Sequence, residues 1–334
     1  MDMKKTTRIV LLGILSVGLL ILPIIDKNGY RQLLFDQVFI NMIVVMGLNF
    51  ISGLTGQMNL GTAGIIGCGA YASTLLCMKL NLPVAVGFLA AILMGFIIGQ
   101  CLGYPSLRVS GVYLSLTTIG FSEITRLVLT NWIGFTGGSA GVPNIPRLQL
   151  FGITFDSAFK NYYLYLVLAV LLAIFASRVV YSKWGRAFKA IRDNIEAVSA
   201  CGIDIAKLKI LAFTLAAMYG CFAGALYANM VGYINPTTFN LDLSINYLVM
   251  LMLGGIGSVA GNIIGAVTVT LLPEFLRFMQ NYYWLVFSII ALLFAVFLPN
   301  GIVSLFTGKD KKAPWGVLGK FWIPKREKEG KTEP

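Results

Sequence analysis

The sequence predicts an all-α, polytopic integral membrane helix bundle with about ten transmembrane helices and with both termini in the cytoplasm. Its 334 residues are 57% hydrophobic and 12% charged, and the mean hydropathy is +0.80. A soluble domain carries about 25% charged residues. The uncharged residues also form long continuous runs, and basic residues cluster between and after them. Composition, run length and charge distribution therefore all predict a membrane protein.

Long uncharged runs define the predicted spans. In chain order these runs are residues 9–25, 37–78, 80–107, 109–122, 161–177, 210–241, 243–273 and 278–308. One helical span needs roughly 20 residues, so runs 37–78 and 243–273 each hold two spans. Glycines divide the first of these at 53–61 and the second at 254–261. Pro83 is predicted to open the next helix.

The distribution of basic residues sets the orientation of these spans. With a cytoplasmic N-terminus, ten passes place 19 of the 26 Lys and Arg residues on the cytoplasmic side, which agrees with the positive-inside rule. We therefore predict a single transmembrane domain over residues 1–308 with a cytoplasmic loop at 178–209, followed by a flexible basic tail at 309–334. Residues 9–25 are predicted to be a retained anchor, because no A-x-A-like cleavage site follows them.

Several function classes are excluded by missing residue types. The chain has no histidine, which removes imidazole-based catalytic and metal sites. It has no GxxxxGK[ST] phosphate-binding loop, and its five cysteines show no CxxC spacing. We therefore predict no catalytic residue and no metal site in this chain. The net charge of +12 is assigned to membrane topology and to lipid headgroups near the tail, and not to nucleic acid.

The loop at 178–209 contains a predicted short helix. Asp193 precedes Glu196 by three positions, which is a capping-box-like spacing, and Gly202 can take the left-handed conformation that closes a helix. The predicted helix runs over about 194–201. The residues that form a narrow apolar stripe along this segment are Phe188, Ile191, Ile195 and Val198. A helix this short is marginal alone, so it packs either on a partner or along the membrane surface.

The loop sequence also resembles a known family. Residues 184–209, WGRAFKAIRDNIEAVSACGIDIAKLK, are similar to the cytoplasmic loop of ABC importer permeases, which has Glu-Ala-Ala and then Gly six positions after the Glu. The matching residues are Glu196, Ala197, Val198 and Gly202. The flanking sequence resembles one branch, the permease subunits of branched-chain amino-acid importers. The further blocks that resemble this branch are GLTGQMNLGTAGIIGCGAYASTLL (53–76), GVYLSLTTIGFSEITRLVLTNW with TGGSAGVPNIP (111–146) and MLMLGGIGSVAGNIIGAV (250–267).

This resemblance implies a non-enzymatic permease subunit of an ATP-driven importer of leucine, isoleucine and valine in the cell's inner (cytoplasmic) membrane. It implies that the short helix couples transport to ATP hydrolysis, through Arg186, Ile191, Arg192, Asp193, Glu196, Ala197 and Gly202. The implied partners are two ATP-binding subunits, a second homologous permease, an extracytoplasmic substrate-binding protein and membrane lipid. ATP and Mg²⁺ are expected on the ATP-binding subunits, with no cofactor in this chain.

Several different functions stay open. Importers of urea, short amides or simple sugars belong to the same permease superfamily. A cation-coupled secondary transporter usually carries unpaired acidic residues at mid-membrane. A membrane enzyme would need catalytic residues, and this chain has neither histidine nor a CxxC pair. The permease pair can consist of two copies of this chain, although the resemblance favours two different chains.

The glycine-rich segments have two interpretations. Small residues let helices approach closely, so these segments can serve packing alone, which we favour. Alternatively, helix breaks expose backbone groups beside a water-filled path for a zwitterionic substrate. The residues of this possible substrate path are Gly53, Gly56, Gln57, Asn59, Gly254, Gly257 and Asn262.

Few acidic residues lie inside the predicted spans. Glu123 and Arg126 are one helical turn apart within the span that continues to about residue 132. Each can neutralise the other, so we predict a structural pair rather than a substrate contact. Asp36, Asp242 and Glu274 are expected near helix ends on the external side, where they stay hydrated.

Overall fold

The computed structural model describes residues 29–150, 153–154, 157–276, 285–286, 288–289, 292 and 301–303. The helices described there are α1 (Gly29–Leu48), α2 (Thr62–Leu80), α3 (Val84–Gly103), α4 (Val112–Asn131), α5 (Ala158–Tyr181), α6 (Lys183–Asp193), α7 (Ile195–Ala200), α8 (Ile205–Val231), α9 (Leu241–Gly254) and α10 (Val259–Phe275), with four-residue helices at Pro105–Arg108 and Ile133–Thr136. The predicted span at 9–25, most of the span at 278–308 and the tail at 309–334 lie outside the described residues.

Within the described residues, six segments are long and apolar enough to cross a membrane. They are Gly29–Thr55, Thr62–Leu80, Val84–Arg108, Val112–Asn131, Ala158–Tyr181 and Ile205–Val231. Helices α9 and α10 are apolar but shorter, with 14 and 17 residues, and they match the two passes predicted within run 243–273. The all-α membrane bundle is confirmed. The total of about ten spans and the positions of the termini stay predictions.

Helix α1 lies at the centre of the bundle. It is in contact with α5, α8, α9 and α10, and all its residues from 38 to 48 are buried. From residue 42 to its end its sequence is apolar on all sides, which is typical of a helix enclosed by other helices. Asn41 links it to two neighbours, because its Nδ2 donates to Thr270 Oγ1 of α10 (2.9 Å) and its Oδ1 accepts from the Tyr247 hydroxyl of α9 (3.2 Å).

Helices α2 and α3 pack against α8 through glycines. A Cβ atom added at Gly69 would lie 2.1 Å from the carbonyl oxygen of Cys221, and one added at Gly99 would lie 2.4 Å from the Cα of Thr214. Any larger residue at these positions would push the helices apart. Close approach at small residues is a common mode of helix packing in membranes, so the packing interpretation holds at Gly69.

Two breaks occur where glycines predict them. A π-helical segment, Asn49–Thr55, continues α1 and ends at Gly56, whose φ of 72° is left-handed. Residues 57–61 are non-helical, and α2 begins after them. Between α9 and α10, Gly255 and Gly257 have φ values of 127° and 82°. Glycine reaches positive φ without the steric cost of a Cβ atom, so the chain can leave the helical path at both places.

The two ends of the bundle differ in their connections. One end, which we call the loop end, carries α6 and α7 next to the turn after α3, where Lys209 Nζ donates to the carbonyl oxygen of Ser106 (3.4 Å). The opposite end, the far end, carries a hairpin of two-residue strands, β1 (Gln149–Leu150) and β2 (Ile153–Thr154). The loop end is the side that the sequence predicts to be cytoplasmic.

Candidate functional site: the loop and the two helix breaks

Helices α6 and α7 form the predicted loop, and they meet at Asn194. Its backbone is extended (φ −159°, ψ 107°), and its Oδ1 accepts a hydrogen bond from the Ala197 N–H (3.1 Å), as an N-cap residue does. The sequence assigns this cap to Asp193, and that prediction is wrong: Asp193 is the exposed last residue of α6. Since the cap lies one position later, Glu196 is the second residue of α7, where a carboxylate interacts favourably with the helix dipole.

The buried side of the loop agrees largely with the predicted stripe. Phe188, Ile191 and Val198 are buried, whereas Ile195 is 45% exposed. The predicted stripe is wrong at Ile195, because the extended backbone between the two helices interrupts the helical spacing. Gly202 follows α7 with a φ of 73°, as predicted. The exposed side of α7 therefore presents an apolar side chain beside an acidic first turn.

Arg192 connects the loop to the break that follows α1. Its Nη1 donates a hydrogen bond to the carbonyl oxygen of Gly53 (2.9 Å). The aliphatic part of the same side chain covers Gly56, where an added Cβ atom would lie 2.9 Å from Arg192 Cγ. Because Gly53 lies in the π-helical segment and Gly56 ends it, one side chain of the loop contacts two positions at the end of the central helix.

Asn49 connects this break to the break between α9 and α10. Its buried Oδ1 accepts a hydrogen bond from the Gly257 N–H (2.8 Å). A Cβ atom added at Gly53 would lie 1.8 Å from that Oδ1, so glycine at this position leaves room for the contact. The predicted coupling residue Arg192 and the predicted path residues thus form one cluster. We call this cluster the junction, and it consists of Asn49, Gly53, Gly56, Arg192 and Gly257.

The remaining predicted site residues lie around the junction or apart from it. Arg186 is exposed and donates to the carbonyl oxygen of Tyr181 (3.4 Å). Asn59 and Asn262 are buried, and Asn59 Oδ1 accepts from the Gly61 N–H (2.9 Å). The partly exposed Gln57 has side-chain polar atoms without a hydrogen-bond partner among the described residues.

Gly254 supports the packing interpretation. An added Cβ atom at Gly254 would lie 2.0 Å from the carbonyl oxygen of Gly261. Glycine at this position therefore lets α9 and α10 approach each other beside their break. This contact concerns helix packing and does not by itself indicate contact with a substrate.

A cavity of about 270 Å³ lies beside the junction. It is bounded by the loop at Ile191, Arg192 and Ile195, by residues 55–57 and by the turn before α4. Its charged lining residues are Arg192 and Lys209, and both are basic. The loop is therefore not packed tightly against the helix break on all sides, which leaves space for the loop to shift.

Hydroxyl side chains hold the beginning of α2, and the sequence gives no signal for them. The first N–H groups of a helix have no partner within the helix. Here the Ala63 N–H is paired with Ser244 Oγ (2.9 Å) and the Gly64 N–H with Ser122 Oγ (2.9 Å). Just before the helix, the Leu60 N–H is paired with Thr118 Oγ1 (3.1 Å). These partners lie 58 or 181 positions away along the chain, so no local spacing could identify them.

Asp36 departs from its predicted hydrated position. It is 0% exposed within α1, and neither carboxyl oxygen has a hydrogen-bond partner among the described residues. The reason is that α1 is enclosed by other helices, so a position near its end is not in water. Asp242 is exposed as predicted, and Glu274 accepts a hydrogen bond from the Tyr30 hydroxyl (2.7 Å).

Asp204 caps the helix that follows the loop. Its Oδ1 accepts from the Lys207 N–H (3.1 Å), and its Oδ2 lies 3.1 Å from Lys207 Nζ. The backbone N–H of Lys207 and then its ammonium group hold the pKa of the Asp204 carboxyl below its ordinary value. The cap therefore stays ionised at neutral pH, and it fixes the point at which the loop returns to the bundle.

Apolar spanning helices around an interrupted central helix define a multi-pass membrane protein. The family model described as "Branched-chain amino acid transport system / permease component" matches residues 33–296, and the chain belongs to this family. A permease component is one part of a transport system, so the chain acts together with partner subunits.

Known relatives agree with this family. "High-affinity branched-chain amino acid transport system permease protein LivM" of Escherichia coli (strain K12) is 32% identical, over 85% of this chain and 78% of the relative. "Probable branched-chain amino acid transport permease protein LivM" of Methanocaldococcus jannaschii is 26% identical, over 70% and 73%. "Autoinducer 2 import system permease protein LsrC" of Yersinia pestis (strain Pestoides F) is 26% identical, over 82% and 78%. No solved structure matches the chain.

Proposed function

We propose that the chain is the transmembrane permease subunit of an ATP-driven importer that moves leucine, isoleucine and valine across the cell's inner membrane into the cytoplasm. The observation that carries this proposal is the junction, where the loop that resembles a coupling loop contacts both helix breaks. Arg192 reaches the break after α1, and Asn49 links that break to Gly257. Two relatives named for branched-chain amino acid transport support the substrate class.

One relative supports a second substrate class. The Yersinia pestis protein is named for autoinducer 2 import. Urea, short amides and simple sugars are further candidate substrates within the permease superfamily, because a separate binding protein contributes much of the selectivity in such systems. A cation-coupled transporter is less well supported, since the mid-span acid Glu123 is paired with Arg126 and the buried Asp36 lies near the beginning of α1 and not at mid-span.

The proposed importer contains two ATP-binding subunits that hold ATP and Mg²⁺, a second homologous permease and an extracytoplasmic substrate-binding protein. In this assembly the chain is not an enzyme and binds no cofactor. The loop end offers a surface for an ATP-binding subunit, because Trp184, Ile195 and Ile203 of the loop are all more than 40% exposed. Apolar side chains exposed on a polar loop are typical of a protein contact.

The junction supports a simple coupling mechanism. Closure of the ATP-binding subunits around ATP displaces α7, and α6 moves with it. Arg192 transmits this displacement to the end of the central helix at Gly53, and Asn49 transmits it to the second break at Gly257. One displacement therefore reaches both places where the helices are interrupted. ATP can drive the change only if it binds more tightly to the importer in one of the two access states. The difference in binding free energy must be several kcal/mol.

Charge reversal at α7 tests the coupling. Glu196→Lys places a positive charge in the first turn of α7, where it opposes the helix dipole and alters the docking surface. We expect at least about a tenfold loss of ATP-dependent uptake, since charged contacts at an interface contribute on the order of 2 kcal/mol. The chain should remain in the membrane. The measurement is uptake of labelled leucine into proteoliposomes that contain the complete importer.

Asp242→Lys is the matched control for this experiment. Asp242 also lies in the first turn of a helix, but outside the loop and towards the side that the sequence predicts to be external. We expect uptake in this variant close to that of the wild-type importer. Normal uptake by the Glu196→Lys importer would contradict the coupling role of α7.

Competition identifies the substrate. We expect loss of this gene to remove an ATP-dependent leucine flux that isoleucine and valine suppress and that urea does not. An unchanged leucine flux in a cell without a second leucine system would contradict the proposed substrate, and labelled urea, amides and sugars would then be tested.

A further inference from the structure

An ion pair lies on the surface of α4. Arg126 Nε donates to Glu123 Oε2 (3.0 Å), and a second bond joins Arg126 Nη2 to Glu123 Oε1. The side chain of Glu123 is 48% exposed and that of Arg126 is 28% exposed. The prediction of a pair is confirmed, but both charged groups remain accessible from outside the chain.

This surface is unsuited to lipid. Helix α4 is one of the segments long and apolar enough to span the membrane, and charged side chains inside a membrane span are costly unless they face protein or water. One stripe of α4, which contains Phe121 and Val128, lines an apolar groove. Glu123 and Arg126 lie on a second stripe of the same helix, outside this groove. The lipid-compatible face and the charged face of α4 are therefore distinct.

The charged stripe adjoins the non-helical segment 57–61. The Ser115 hydroxyl donates to the carbonyl oxygen of Met58 (3.4 Å), and Thr118 accepts from the Leu60 N–H. Ser122, the residue before Glu123, accepts from the first turn of α2. The ion pair thus lies at the height where α2 begins.

Two further observations favour a water-filled path beside this stripe. Met58 is 59% exposed, so segment 57–61 is not fully enclosed by this chain. Non-helical backbone at membrane depth is tolerated only within protein or along a water-filled cavity. Gly120, on the exposed side of α4, has no atom within 4 Å of the position that a Cβ would take. Free space therefore lies next to the ion pair.

We propose that Glu123 and Arg126 form a recognition site for the two charged ends of an α-amino acid as it passes through the importer. The carboxylate of the substrate binds the Arg126 guanidinium, whose planar donors suit a carboxylate, and its ammonium group binds Glu123. Each protein charge exchanges its partner for the opposite charge of the substrate. No net charge enters the membrane, and no bond is made or broken. This inference rests on the proposed function.

The test uses the complete importer in proteoliposomes and measures both uptake of labelled leucine and ATP hydrolysis stimulated by the substrate-binding protein. The variants are Glu123→Gln, Arg126→Gln and the charge exchange E123R/R126E. We expect each single variant to lower leucine uptake about tenfold, the scale of one charged hydrogen bond, while stimulated ATP hydrolysis persists. The charge exchange keeps an ion pair but reverses its direction along the path, so we expect uptake to stay low.

Three results would overturn this inference. Full uptake by the charge-exchange variant would mean that the pair only neutralises itself. Loss of the second permease subunit during purification of both single variants would place the pair in a subunit interface. Unchanged uptake in all three variants would show that the ion pair has no role in transport. Failure of the proposed function is a separate result, because the wild-type importer would then not take up leucine. Thr117→Val, at an exposed position of α4 that faces away from the ion pair, is the control and should keep wild-type uptake.

Discussion

Arg192 and Asn49 both act on the backbone of glycines. Arg192 donates to the carbonyl oxygen of Gly53, and Asn49 accepts from the N–H of Gly257. Neither contact needs a particular side chain on its partner. Gly53 leaves room for the Asn49 Oδ1, and Gly257 has a positive φ of 82° that favours glycine. The sequence identifies Arg192 and the glycines separately but not Asn49, because nothing local marks an asparagine inside an apolar run as functional.

Removal of the Asn49 amide should destabilise the fold. In Asn49→Leu the Gly257 N–H loses its acceptor, and an unpaired buried donor costs about 1–3 kcal/mol. We expect a lower thermal unfolding midpoint for the detergent-solubilised protein. The control is Asn229→Leu, which removes a hydrogen bond to Pro146 at the exposed far end. Equal midpoints for the two variants would show that Asn49 does not stabilise the second break.

At the scale of elements, close packing of α2 on α8 depends on small residues. The two helices meet where Gly69 faces the backbone of Cys221 and where Gly224 faces the carbonyl oxygen of Ile66. The sequence identifies the glycines but not the helix that each one faces. The partner is decided by the arrangement of the bundle, since α2 and α8 are separated by more than a hundred residues.

A large residue at Gly69 should prevent correct folding. In Gly69→Leu the side chain would overlap the Cys221 backbone, and overpacking of this kind costs about 1–3 kcal/mol or more. We expect the yield of monodisperse protein, measured by size-exclusion chromatography, to fall severalfold. Gly120→Leu is the matched control, because Gly120 is also within a helix but faces open space. Equal yields of the two variants would contradict the packing role of Gly69.

The loop shows how far local patterns predict an element. A short helix, the burial of Phe188, Ile191 and Val198, and the closing glycine are predicted correctly, whereas Ile195 is exposed. The cap is assigned one position too early because Asp193 and Asn194 are both good N-cap residues. Backbone conformation decides between them, and the extended φ and ψ of Asn194 end α6 there.

At the scale of the whole molecule, the orientation follows from charge and can be measured with a native thiol. Cys201 is free and exposed at the loop end. If this end is cytoplasmic, a membrane-impermeant maleimide should label Cys201 in inside-out vesicles and not in intact spheroplasts. The experiment uses cells without the ATP-binding subunits, so that no partner covers the thiol.

Two variants complete the orientation test. Cys201→Ser should lose the label, because the second exposed thiol, Cys101, lies on a membrane-spanning helix. Asp242→Cys, introduced into that background, places an exposed thiol on the side that the sequence predicts to be external, and it should be labelled in spheroplasts. Labelling of Cys201 from outside would reverse the predicted topology.

The sequence by itself determines the class of the molecule. Long apolar runs, glycine breaks and clustered basic residues are local properties, and they predict the membrane bundle, the two interruptions and the polar loop. The burial of Asp36, the hydroxyl partners of α2 and the junction at Asn49 depend on residues far apart along the chain. Only the tertiary structure decides these, because hydrogen bonds and close packing are set by which helices become neighbours, and no local spacing encodes that choice.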